Sequence, residues 1–321
     1  MAQYAPLMSF IRKLWSRLSH PSVPVSIQPW RASIDRLNGA YSEHTLRGYH
    51  ADLTIFETWC LANGCEVVPA TPEQVAAFLA WNAPRASVST LKRRLAAIRK
   101  IHRLVRAPCP VDDEEVAIAL RRAMRGKVRR PKQARGLTAA LRDRMLAATP
   151  DTLIGLRDKA LIAVGYDTLC RRSELVNIAV EDLVRLPNGG GQILVRRAKN
   201  DPFGDGRWAF LSANAVAHLD RWLEASGVDE GYVFRRLINA TVHRISIDSL
   251  TVNRRIKAAA VRAGLDESVC RTLTGHSMRV GAAQDLMCAG RDILVIMTAG
   301  GWTSMNVVGR YVREAQLNVW V

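Results

Sequence analysis

The chain has 321 residues, 48% apolar and 23% charged, which suits a globular protein of two packed domains and excludes a disordered or collagen-like one. No run of about eighteen apolar residues occurs, which excludes a transmembrane helix. Lys and Arg number 46 against 29 Asp and Glu, and the net charge of +17 points to a polyanionic partner, although a ribosomal or membrane-surface protein is also this basic.

From the amino terminus, Met8–Leu18 sets Phe10, Ile11, Leu14, Trp15 and Leu18 at apolar positions, but Arg12 and Lys13 interrupt it. It has no signal-peptide core, and a cytoplasmic protein is expected. Residues 1–30 read as an extension. A helix is predicted over Thr45–Asn63, with Leu46, Tyr49, Leu53, Phe56 and Cys60 at helical spacing, Ser42 or Thr45 as cap and Asn63-Gly64 as stop. Thr71-Pro72-Glu73 opens a second helix, running to about Trp81. A third, from Ser89 or Thr90 to about Arg106, carries Leu91, Leu95, Ile98, His102 and Val105 on one face and Lys92, Arg93, Arg99, Lys100, Arg103 and Arg106 largely on the others. A fourth starts at Asp112–Glu115 and ends in Arg121, Arg122 and Arg125, charges that suit its two ends.

Between Arg85 and Arg135 sixteen basic residues face four acidic ones, a net of +12 in about one sixth of the chain. Gly126–Gly136, basic and without apolar periodicity, reads as a linker able to lie along a phosphate backbone. The expected domains are therefore 31–125 and 138–321, joined by a basic linker over 126–137. In the second, helices are predicted over Thr138–Ala148 and from Leu156 onward, then two short strands, Gln192–Arg197 and Arg207–Leu211, around a polar turn at Asn200–Gly206. Helical patterns resume over Ala213–Ser226, Ser249–Ala263, Ser277–Ala289 and Arg291–Met297. The fold class is mainly α: two helical domains, the second with a small antiparallel sheet. The six cysteines (Cys60, Cys65, Cys109, Cys170, Cys270, Cys288) form no CxxC pair or zinc-like spacing and read as free thiols.

Four polar groups from separate segments carry the chemistry. Arg171 and Glu174 are three apart, as are His276 and Arg279; Lys199 lies where the first strand ends in the turn; Tyr311 follows Gly300-Gly301-Trp302-Thr303. Singly, each has an ordinary explanation: a surface ion pair, a polar helix face, a solvated lysine, a packed aromatic.

Together they resemble the tyrosine recombinase, or phage integrase, family, and most closely its Cre-type members. The carrying phrases are Tyr166-Asp167-Thr168-Leu169 leading to Arg171, Gly275-His276-Ser277-Met278-Arg279-Val280-Gly281-Ala282-Ala283, and Ala299-Gly300-Gly301-Trp302-Thr303. Ser42-Glu43-His44-Thr45 and Lys132-Gln133-Ala134 match in the first half, so the resemblance spans about residues 35–315. It implies a two-domain DNA clamp and a site-specific recombinase that cleaves and rejoins strands through a 3′-phosphotyrosyl link and a Holliday junction. Tyr311 would be the nucleophile, Arg171 and Arg279 the forks on the non-bridging oxygens, His276 the proton-transfer partner and Lys199 the general acid. Trp302, where many relatives carry His, would donate its indole N–H to phosphate, and Glu174 would orient the site.

Such a reaction conserves the phosphodiester's free energy, so no cofactor, metal or ATP is expected; neither a GxxxxGK[ST] loop nor a GxGxxG fingerprint occurs. The expected partner is double-stranded DNA with inverted-repeat sites, bound by a homotetramer formed from a monomer or weak oligomer, at the bacterial nucleoid. Candidate DNA contacts are Arg47, Thr90, Lys92, Arg93, Arg94 and Lys132, and Thr251, Arg254 and Arg255 on a second helix that also carries Asn253. Leu317 and Trp320, in a short tail after Tyr311, are expected to pack across a protomer interface or to fold back in cis. A type IB topoisomerase, a telomere resolvase and a non-catalytic DNA-binding relative remain as alternatives.

Overall fold

The computed structural model describes residues 29–127, 134–196 and 206–312. The chain divides into two compact units, 1–131 and 132–321. Lys132, Lys199, the Met8–Leu18 segment, Leu317 and Trp320 all lie outside the described residues.

The first unit is helical: α1 Pro29–Asp35, α2 Glu43–Ala62, α3 Pro72–Asn82, α4 Val88–Leu104 and α5 Glu114–Arg125. Its ends follow local chemistry. Ser42 accepts from the Thr45 N–H at 3.3 Å to start α2, and Thr71 with Gln74 forms a reciprocal capping box under Pro72. Helix α4 starts earlier than its serines suggest, because Ser87, rather than Ser89 or Thr90, caps it, accepting from the Thr90 N–H at 3.2 Å. The apolar faces meet in a core built on Leu53, Phe56, Phe78, Leu79, Leu91, Ile98 and Ile101, with the Phe56 and Phe78 rings edge-to-face at 4.9 Å. His102 is fully buried there: Nδ1 donates to the Ile98 carbonyl at 2.8 Å and Nε2 accepts from the Ala70 N–H at 2.9 Å, a pattern that needs the neutral ring.

The second unit contains α6 Ala139–Ala147, α7 Leu153–Asp167, α8 Arg172–Leu175, α9 Ala213–Ser226, α10 Ser249–Arg262, α11 Glu267–Thr272, α12 Gly275–Cys288, α13 Ile293–Gly300 and α14 Met305–Val312. Its strands are β1 Leu183–Arg185, β2 Gly191–Val195 and β3 Arg207–Leu211 in one antiparallel sheet, and β4 Arg235–Ile238 with β5 Thr241–Ser246 in a separate hairpin. Three of these strands go beyond the two expected. β1 has only three residues, and the hairpin turns at Asn239-Ala240, both at positive φ (48° and 62°), without the glycine that usually marks such a turn. Helices α11 and α14 were also not anticipated; both are shorter than three turns.

Helix α7 is buried along most of its length and is the axis of this core. Two glycines set close approaches to α12: a Cβ on Gly165 would lie 2.6 Å from Met278 Cε, and one on Gly281 would lie 1.9 Å from the Leu137 carbonyl oxygen. Leu137, read from sequence as the end of the linker, is fully buried here and donates its N–H to the Ser277 carbonyl at 2.8 Å. Residues 136–137 are thus packed into the second unit.

Candidate active site

The turn after α7 brings the first arginine into place. Leu169 adopts a left-handed conformation (φ 50°) that is costly for a branched side chain. Its carbonyl accepts from Nη1 of Arg279, 110 residues away, so the strained backbone is tied to a buried cation. Arg171 follows as the extended N-cap residue of α8, and does not share a helix face with Glu174 as the spacing predicts. Glu174 grips it from below: Oε2 accepts from the Arg171 N–H at 2.9 Å and Oε1 from its Nη1 at 2.6 Å. That carboxylate is 3% exposed and Arg171 21%, so one face of the guanidinium stays open.

Helix α12 carries the second pair. Thr274 caps it, accepting from the His276 N–H at 3.2 Å, while Ser277 Oγ accepts from the Thr274 N–H at 3.0 Å. His276 therefore sits in the first turn, where the helix dipole favours an anion. One turn later Arg279 is fully buried. Its guanidinium lies 4.0 Å from the Trp302 ring centroid and 5.8 Å from that of Tyr311. The indole reaches this position because Gly300 has no side chain, since a Cβ there would be 2.1 Å from the Trp302 ring, and because Gly301 turns the chain at φ 61°. Tyr311, half-buried on α14, packs its ring 5.3 Å from His276 and 4.9 Å from Trp302.

The charges here are unbalanced. Arg279 Nε and Nη2 and Trp302 Nε1 are buried donors without a well-formed hydrogen bond among the described residues, although the Tyr311 hydroxyl interacts with the Arg279 guanidinium. Buried donors without partners cost roughly 1–3 kcal/mol each, so their convergence marks a place where an acceptor is expected to bind. Desolvation, followed by the Arg279, Arg171 and Arg172 charges, holds the His276 pKa below its ordinary value. Arg279 is pushed down by burial first and by Arg171 second. An oxyanion entering this cluster would relieve all of these repulsions at once.

Of the seven sequence-predicted catalytic residues, the structure brings six into one neighbourhood from three segments: Arg171 and Glu174, His276 and Arg279, Trp302 and Tyr311. Lys199 is outside the described residues. The candidate DNA contacts divide. Arg47, Lys92 and Arg254 are exposed, and Thr251 is partly so. Thr90 hydrogen bonds with Ser87 at the start of α4. Arg93 donates through Nε and Nη2 to buried Asp52 at 2.6 and 2.9 Å, and Arg94, 12% exposed, lies 3.5 Å from the same carboxylate. Arg255 likewise pairs with Asp158, which has no exposure, at 2.6 Å. Arg94 and Arg255 therefore serve buried carboxylates rather than standing free toward solvent.

Two supporting roles go beyond the sequence reading, which places Asn253 only on a DNA-facing helix and gives Gln284 no part. Gln284 Nε2 donates to the Tyr311 carbonyl at 3.2 Å, joining α12 to α14, and Asn253 Oδ1 on α10 accepts from the Gly275 N–H at 2.7 Å, beside His276. Neither has a spacing signal; each is recognisable only once the distant backbone group it contacts is known.

Comparison with known proteins places this geometry among relatives. Residues 135–317 match the phage integrase family and residues 36–107 the phage integrase N-terminal SAM-like domain. The recombinase cre of Escherichia phage P1 is 32% identical over 292 residues, covering 86% of this chain and 85% of that protein. An integrase/recombinase xerD homolog of Selenomonas ruminantium is 30% identical over 295 residues, covering 88% and 85%. Among solved structures, a lambda integrase (75–356) dimer bound to a COC′ core site has a TM-score of 0.62 at 16% identity and covers 90% of this chain and 96% of that one. XerH site-specific recombinase bound to palindromic difH substrate, in a post-cleavage complex, has a TM-score of 0.64 at 16% identity, covering 84% and 76%.

Proposed function

Because this chain belongs to the phage integrase family of tyrosine recombinases, we propose that it is a site-specific DNA recombinase working through a phosphotyrosyl intermediate. The observation that carries the reading is the phenol of Tyr311 packed between His276 and Trp302, beside a buried Arg279 with more donors than well-formed hydrogen bonds, a place for an oxyanion. Backbone phosphate is such an anion. Arg279, Arg171 and the Trp302 N–H would hold its non-bridging oxygens and stabilise the charge that builds in the pentacovalent transition state.

The step then balances. The Tyr311 oxygen bonds to phosphorus, the bond to the 5′-oxygen breaks, and the 3′-phosphate remains on the enzyme. The phenol proton passes to His276, kept neutral by desolvation first and by its cationic neighbours second, while Lys199 protonates the leaving 5′-oxygen. Attack by a 5′-hydroxyl from another strand reverses every transfer, so neither ATP nor a metal is required; two such exchanges proceed through a Holliday junction. Glu174 holds the Arg171 fork in register. Arg47, Lys92, Thr251 and Arg254 supply DNA contacts from the two units, and a homotetramer assembles on paired inverted-repeat sites.

A duplex probe is obtained by selecting binding sequences from a random DNA library with the Tyr311→Phe protein. Incubating two distinguishable duplexes with the wild-type enzyme is expected to give recombinant strands as well as a covalent protein–DNA band, and Tyr311→Phe is expected to bind without reacting. Relaxation of supercoils with no strand joining between duplexes would identify a topoisomerase, and hairpin ends a telomere resolvase. Binding with no covalent band would identify a non-catalytic relative.

A further inference from the structure

Arg207 opens β3, a short way after Lys199 in the sequence, and its partners are buried or half-buried. Its side chain is 11% exposed. Nη1 donates to the Ala299 carbonyl at 2.7 Å, and Nη2 to the Thr168 carbonyl at 2.9 Å. Nη2 also lies 3.5 Å from Cys170 Sγ and 3.9 Å from Glu174 Oε2. The stem of the same side chain passes under the Gly301 turn, where an added Cβ would lie 2.8 Å from Arg207 Cδ.

Thr168 is three residues before Arg171, and Ala299 is three residues before Trp302. Two successive carbonyls of the first loop are thus held by two different arginines: that of Thr168 by Arg207 and that of Leu169 by Arg279. The left-handed Leu169 lets those carbonyls diverge. As a stabilising device alone this is costly, because Arg207 gives up water for two carbonyls and one carboxylate at 3.9 Å, and an apolar side chain would fill such a place with less desolvation.

We infer that Arg207 is a positioning residue of the active site: its planar fork fastens the loop leading into Arg171 to the loop leading into Trp302. It keeps the two phosphate-holding groups at one separation. Its hydrogen bonds run to the backbone of the two loops, not to Arg171 or Trp302 themselves, so it acts on those residues through the chain. A lysine has one nitrogen on a flexible stem and reaches one carbonyl well at a time.

The inference rests on the recombinase reading, and its test separates the two. Wild type, Arg207→Ala, Arg207→Lys and Tyr311→Phe are compared on a nicked duplex carrying the library-selected site. The readouts are DNA affinity, Tm, and the single-turnover rate of covalent adduct formation at saturating protein, well below each Tm. Arg207→Ala is expected to bind DNA nearly as tightly as wild type and to form adduct about a hundredfold more slowly, the scale of a misplacement near 1 Å. Arg207→Lys is expected to recover only a small part of that rate, and millimolar guanidinium ion to restore part of it to Arg207→Ala. If Arg207→Ala lowers Tm but reacts at the wild-type rate, the residue is a stabiliser only and the inference is overturned. If Arg207→Lys matches wild type, the bridging fork is refuted even where the alanine variant fails to fold. If wild type binds the probe and forms no adduct, the recombinase reading itself falls.

Discussion

At the scale of single residues, the site is defined by what its polar groups lack. Arg279 is buried without a carboxylate partner within hydrogen-bond reach, and Trp302, its ring between Arg279 and Tyr311, has a buried indole N–H with no hydrogen bond among the described residues. Such groups are tolerated where a substrate completes them. The same cluster sets the state of His276, although the residue keeps an exposed edge. Desolvation comes first and three arginines follow, so its folded pKa is below 6.5 and the ring is neutral at neutral pH. NMR titration of the DNA-free protein should find a His276 midpoint below 6.5, and Arg172→Gln, by removing one of those charges, should raise it. A midpoint at or above 6.5 in the wild type would mean that the arginines do not surround the ring as described. Much of this level was legible beforehand. Arg171, Glu174, His276, Arg279, Trp302 and Tyr311 announce themselves because their residue types, in that order, suit one reaction. Arg207, Asn253 and Gln284 do not, because each acts on a backbone group far away in sequence.

At the scale of elements, local signals located most helices and failed where tertiary contact decides. Ser42, Thr71 and Ser212 cap helices as their chemistry suggests, whereas β4–β5 closes without a glycine and α14 is recognisable chiefly by what it packs against. Arg171 and Glu174 show the limit of spacing arguments: three residues apart, they meet around a helix start instead of along a helix face. Asn253 joins two elements with different duties. It lies on α10, which also carries Thr251 and exposed Arg254, and it holds the buried Gly275 N–H that precedes His276. Asn253→Ala leaves that N–H without its partner, which costs roughly 1–3 kcal/mol, and should slow adduct formation about tenfold or more with little change in DNA affinity. Asn253→Asp, which keeps the acceptor, should recover most of the rate. Equal losses in the two variants, or a loss confined to affinity, would show that Asn253 contacts DNA and does not support the His276 turn.

At the scale of the whole molecule, the two units carry separate cores, so their stabilities are separately measurable. The first contains a titration of its own. His102 is neutral when folded, its pKa lowered by burial, while the unfolded chain binds that proton near 6.5. Below 6.5 the unfolded state therefore holds more protons, so the stability of this unit should fall as pH drops from 6.5 toward 5; above 6.5 His102 contributes no slope. Denaturant unfolding across that range should show the fall, and His102→Gln should flatten it; an unchanged slope would assign the effect to other groups.

The central claim concerns one bond. Wild-type protein allowed to react with the selected, nicked duplex, denatured, and digested with protease and nuclease should yield a single peptide bearing a nucleotide, and mass spectrometry should place the phosphate on the Tyr311 oxygen. A nucleotide attached to any other side chain would contradict the account, as would an unmodified Tyr311 peptide from a sample in which the strands have been exchanged.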